Sequence, residues 1–251
     1  SDGPAADYLS AWLSRDRVSA ASDADLIAAL LVSPAAASRT QGVALLSFAD
    51  GAAVALALLA ALPTIDENNP ALAEIRDTIV SLLADNAPLA HHAASVPPLP
   101  LQRLLEHSLT PLVQIATAWL LVHPAALQTL PASSLRNLLG SDEPARVACG
   151  IQLLGSLPDD VLYEQADVLA EFAVSPHREM RKAVAPIITR LAKDSRCNAR
   201  IAERLHDALF RAEEGEGVYD DVLALLTGPL KDVAPARDAS GTWRALLARA
   251  T

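Results

Sequence analysis

Aromatic residues are scarce in this chain: three Trp, three Tyr and three Phe in 251 residues. So few rings leave little for bases to stack on, which argues against a single-stranded nucleic-acid groove. Glycine is also sparse, at 10 residues. No phosphate-cradling loop and no nucleophile elbow can be read from them, and no cofactor is expected. Alternating β patterns are nearly absent, which excludes a sheet protein. The two cysteines, Cys149 and Cys197, make no disulfide framework. Neither has a second Cys or His at zinc-ligand spacing, so no metal site is expected. Free thiols point to a reduced compartment and a cytoplasmic location. Basic residues are outnumbered, 20 against 30 acidic, for a net charge of −10 that repels phosphate. The start lacks a basic n-region followed by an apolar h-region. The only methionine is Met180. The chain therefore reads as an excised part of a larger protein, and its Ala, Leu and Arg bias points to a bacterial source.

What is abundant is Ala and Leu, within a hydrophobic share of 51%. Both are strong helix formers, and small side chains let helices approach closely. Gly42–Leu62 is long and apolar enough to be mistaken for a membrane span. Asp50 stands near its middle, where a carboxylate costs roughly 2.5–3.5 kcal/mol in lipid. Asp50-Gly51 is also a turn signal, so two buried helices and no membrane contact are expected. Helices are further predicted over 4–14, 24–32, 71–84, 101–108, 111–122, 124–130, 133–139, 144–154, 159–174, 178–193, 198–211, 218–226 and 242–250. Pro70, Pro111, Pro124, Pro144, Pro158 and Pro176 fall at or just before first turns, where proline is tolerated. Pro186 falls inside a helix and predicts a kink. The chain is expected to be one domain over 1–251. A joint in the proline-rich stretch 93–100 would separate an N-terminal part, 1–92, from a repeat part, 101–251.

Three helices open on one phrase: Gln114-Ile115-Ala116, Arg146-Val147-Ala148 and Arg181-Lys182-Ala183, spaced 32 and 35 residues apart. Ser33-Pro34 followed by Arg39 matches Ser175-Pro176 followed by Arg181. A fixed period of this length marks stacked helical hairpins. On Asp142, Arg146 and Ala148 the chain resembles the HEAT-repeat family. The resemblance covers residues 100–229; residues 1–85 fit it loosely. It implies an all-α fold, a right-handed α-α superhelix of helical hairpins, and a binding or scaffold role with no catalysis. The Asp and Arg of the phrase are then scaffold residues paired along the stack.

Charge supplies the candidate site. Residues 177–211 carry nine basic and four acidic residues, inside an otherwise acidic chain. Arg196, Arg200 and Arg204 recur every four residues and share a helix face. With Arg178, Arg181 and Lys182 on the preceding helix, they could form a patch for a protein or peptide partner, and an acidic one would match its charge. The plainer alternative is a solvated face with local pairs, Arg200–Glu203 and Arg204–Asp207. Two other functions compete: a nucleic-acid-binding, DNA-glycosylase-like HEAT protein, and a structural spacer. Trp12, Trp119 and Trp243 lie far apart and are expected to be core anchors. His91-His92 is expected to be an exposed loop pair. Nothing in the sequence fixes the oligomeric state.

Overall fold

The computed structural model describes residue 11 and residues 17–84, 87–211 and 215–233. The helices expected over 4–14 and 242–250, with Trp12 and Trp243, therefore lie outside the described residues, apart from Ala11. Among the described residues every regular element is helical and no strand occurs. The helices are α1 (Arg17–Ser22), α2 (Ala24–Leu31), α3 (Ala36–Leu46), α4 (Gly51–Ala61), α5 (Leu72–Leu83), α6 (Pro98–Leu105), α7 (Thr110–Leu121) and α8 (Pro124–Gln128). They continue with α9 (Ala132–Leu139), α10 (Pro144–Ser156), α11 (Asp159–Glu164), α12 (Ala166–Ala173), α13 (Arg178–Leu191), α14 (Asn198–Leu209) and α15 (Val218–Thr227).

Local chemistry sets the boundaries. Asp23 caps α2 by accepting the Leu26 N–H at 2.9 Å. Asp50 caps α4, accepting from the Ala52 and Ala53 amides at 3.0 and 3.4 Å. Such caps satisfy amides that the first helical turn leaves without intrahelical partners. The apolar stretch Gly42–Leu62 is thus two helices, split just before Gly51. Among the described residues no helix is long and apolar enough to cross a membrane. Gly51 also takes the ring of His92, since a Cβ there would lie 2.2 Å from His92 Cδ2. His92 is accordingly half-buried in a 3-10 turn over Ala90–Ser95, while His91 is exposed. The helix predicted over 159–174 is interrupted at Gln165, giving α11 and α12. Helix α13 runs through Pro186, whose exposed position leaves the unpaired carbonyl one turn earlier close to solvent.

The chain divides into two compact units, residues 1–153 and 154–251, with the division inside α10. The expected joint at 93–100 lies within the first unit. Leu89, Ala93 and Val96 of that region are buried, and the 3-10 turn packs on α4 and α5. His123 ties the same stretch down. Its Nε2–H donates to the Val96 carbonyl at 2.8 Å, and its Nδ1 accepts the Ala126 N–H at 3.2 Å. In the first unit α2 packs on α3 and α4, and α7 packs on α5 and α6. In the second, α12 packs on α13 and α14, and α15 packs on both of those. Sequence neighbours and next-but-one helices are therefore the recurring contacts. The core is Leu, Ile, Val and Ala with Trp119 fully enclosed, so Trp119 is the anchor its sequence suggested.

Candidate functional site

The second unit collects the basic residues singled out by charge, and it also collects their counterions. Arg190 pairs with Asp159 at 3.0 Å. Arg196 pairs with Asp194 at 2.8 Å and Asp160 at 3.3 Å, and its guanidinium lies 3.9 Å over the Tyr163 ring. Arg200 and Arg204 both meet Asp167, the former through two nitrogens and the latter at 3.5 Å. Four arginines thus face four aspartates, three of which come from α11 and α12. Arg196–Asp194 is local to the turn before α14, and the other pairs reach back to α11 and α12; among the described residues the expected partners on the same helix, Glu203 and Asp207, are not used. Lys182 pairs with Glu179 at 2.9 Å, one turn away. Arg178 and Lys193 are exposed and have no ion-pair partner among the described residues. Hydrogen bonds from Arg200 hold the Asp167 carboxyl below its usual range. Those from Arg196 do the same for Asp194.

Arg181 stands apart from this surface. It is 2% exposed, so it belongs to the interior and not to a contact patch. Its Nη1 donates to the Ser175 and Pro176 carbonyls at 2.8 and 3.1 Å, and its Nη2 to the Glu216 carbonyl at 2.8 Å. Its Nε meets Asp221 of α15 at 2.6 Å. One planar fork thereby joins the turn before α13, the loop before α15 and α15 itself. The loop fits closely: a Cβ on Gly215 would lie 2.7 Å from Pro176 Cα.

Arg39 repeats the device in the first unit. It is 7% exposed, and its Nη1 donates to the Ser33 and Pro34 carbonyls at 2.8 and 2.9 Å. In both turns the serine Oγ accepts the amide two residues on, at 3.2 Å from Ala35 and from His177. Arg146 serves a similar turn from the next helical pair. It donates to the His107 carbonyl at 2.8 Å, to the Ser108 carbonyl, and to Thr110 Oγ1 at 3.1 Å. Gln114, which holds the arginine's place after Ser108, instead accepts from Arg76 Nη1 at 3.0 Å.

Two of the helices that open on the repeated phrase, α7 and α10, line a trough in the first unit together with α5. Its volume is about 390 Å³. Arg76, Asp77 and Val80 of α5 form one wall, Gln114, Ala118 and Leu121 of α7 the floor, and Ala145, Ala148, Cys149 and Gln152 of α10 the other wall. The lining residues of α7 recur at helical spacing, so they form one stripe. Arg76 is the only cation in the lining, and Asp77 pairs with it at 2.7 Å. Burial pushes the Cys149 thiol up, so it lines the trough as an apolar side chain and not as a thiolate. Among the described residues no group of three metal-ligating side chains gathers.

No protein-family model, no curated protein and no solved structure matches the chain. The chain does resemble itself. Ala24-Asp25, Ala28, Val32-Ser33-Pro34 and Arg39 recur without a gap as Ala166-Asp167, Ala170, Val174-Ser175-Pro176 and Arg181, at an offset of 142. That signal is present in the sequence at a period four times the hairpin length.

Proposed function

We propose that the chain is a non-catalytic, HEAT-like interaction module that binds a protein or peptide segment in the trough of α5, α7 and α10. The observation that carries this reading is the trough itself. On α7 and α10 the half-buried Ala118 and Ala145 and the exposed Ala148 line it, where a packed interior would have larger side chains. An alanine floor lets an extended chain approach the helices, and Gln114 and Gln152 offer amides that match a peptide backbone. A rim with one cation, already neutralised by Asp77, offers nothing to hold a phosphate backbone. Repetition of the Ser-Pro-arginine device in both units supports the repeat architecture, in which stacked hairpins bury their apolar faces and expose one long surface.

The test is selection from a random peptide library on the full chain. Selected peptides are then titrated against Ala148→Trp, which fills the trough from an exposed position, and against Arg200→Gln/Arg204→Gln. Loss of at least about tenfold in affinity on A148W alone (about 1.4 kcal/mol) supports the proposal. Loss on the arginine variant alone moves the site to the second unit and overturns the trough. Failure to select any peptide favours a spacer. Salt-dependent binding of duplex or single-stranded DNA favours a nucleic-acid protein.

A further inference from the structure

The two copies of the Ala-Asp…Ser-Pro…Arg segment extend to three helices each. Helices α2, α3 and α4 correspond to α12, α13 and α14, and in each trio the first helix packs on the other two. The third helices align at an offset of 147. Val54, Ala55, Leu58 and Leu62 fall on Ile201, Ala202, Leu205 and Leu209, and all eight are at most 2% exposed. The register of the buried faces fixes the register of the outer faces.

The outer faces differ. In the second copy Asp167 receives two guanidiniums, from Arg200 and Arg204 of α14. In the first copy Asp25 holds the place of Asp167, and Ala53 and Ala57 hold the places of Arg200 and Arg204. Asp25 is exposed and has no ion-pair partner among the described residues. Leu56, which holds the place of Glu203, is 46% exposed. One copy thus carries an acid with its cations built in. The other carries the acid, an alanine floor where the cations would lie, and a bare leucine beside them.

We propose that this α2–α4 face docks a basic helical segment of a partner protein, presenting two arginines or lysines one turn apart to Asp25 with an apolar residue against Leu56. Charge complementarity and the fold's own precedent choose this occupant. The face is distinct from the trough, so either can fail without the other.

The probe is a helical alanine-based peptide with arginines at positions i and i+4 and one leucine, set beside its glutamine counterpart. Each is titrated into the 15N-labelled full chain. The arginine peptide is expected to shift the amides of Asp25, Ala53 and Ala57, and to bind at least about fivefold more tightly than the glutamine peptide, from an exposed charge pair of about 1 kcal/mol. Asp25→Asn should remove that difference. Ala53→Arg/Ala57→Arg should install the missing cations and abolish binding with the helical circular dichroism unchanged. Equal binding of the two peptides, or an unchanged difference with D25N, overturns the proposal. Concentration-dependent dimerisation lost on Leu56→Ser would instead assign the face to a second copy of the chain and also overturn it.

Discussion

Replacing Arg181 with methionine should be among the most damaging single changes in the second unit. The stem is replaced by an apolar chain of similar length, so packing is largely kept. What goes is the fork that serves three carbonyls at 2.8, 3.1 and 2.8 Å and Asp221 at 2.6 Å. Removing one member of a buried ion pair costs about 3–5 kcal/mol. Asp221 is 43% exposed and regains water, which favours the lower end. Pro176 and Glu216 are exposed residues, so the carbonyl of half-buried Ser175 is the acceptor that regains it least, and an orphaned buried acceptor costs about 1–3 kcal/mol. A loss of about 3–4 kcal/mol is expected. Arg39→Met removes bonds to two carbonyls and no carboxylate, so about 2 kcal/mol is expected there. Urea unfolding with pulsed hydrogen exchange reads both, because peptides from 17–84 and 154–211 report the units separately. In R181M the second unit should unfold at lower urea while the first is unmoved. A cost below about 1 kcal/mol, or a larger cost for R39M than for R181M, would refute the argument from hydrogen-bond inventory.

His123→Ala should cost about 1–2 kcal/mol in chemical denaturation, because it orphans the Val96 carbonyl, while the Ala126 amide loses its side-chain cap but keeps its 3.0 Å bond to the His123 carbonyl; His123→Asn should restore the cap alone. Two alanine substitutions should have opposite signs in thermal melts. Gly215→Ala meets the Pro176 backbone and lowers the Tm, while Gly155→Ala, with nothing within 4 Å and a helical backbone, raises stability by about 0.5–1 kcal/mol. Asp167 has a folded pKa below its unfolded one, so its contribution is present above about pH 4 and is lost as pH falls through the folded value. Asp167→Asn should therefore cost up to about 1 kcal/mol at pH 7 and little at pH 2, in urea titrations at the two pH values. Cys149 and Cys197 are buried and their thiols are pushed up by burial, so an aromatic disulfide reagent should react with neither until urea unfolds the chain.

Much of the all-helical fold was legible because helix signals are local. Asp50-Gly51, Asp23 and the prolines at first turns fixed boundaries that the structure keeps. The division of the chain was not legible. A proline-rich stretch looks like a joint, but whether it is one depends on what packs against it, and there His123 lies 27 residues beyond Val96. The basic block shows the same limit for charge. Residues 177–211 are basic as a segment, yet Asp159, Asp160 and Asp167 come back on neighbouring helices to meet Arg190, Arg196, Arg200 and Arg204. The interior role of Arg181 was signalled by its place in the repeated phrase and after Ser-Pro, which it shares with Arg39, while its charge alone had put it in the basic patch. The trough was foreseeable only in part, as a face of the phrase-bearing helices α7 and α10; nothing pointed to α5 as its other wall. Its small lining residues become a surface through the spacing of α5, α7 and α10, which no local pattern encodes.

Hydrogen exchange on the full chain, with and without a library-selected peptide, tests the central claim most directly. Binding in the trough predicts slowed exchange in α5, α7 and α10, with α12–α14 unchanged. Protection confined to α13 and α14, or no protection in any helix at saturating peptide, would contradict it.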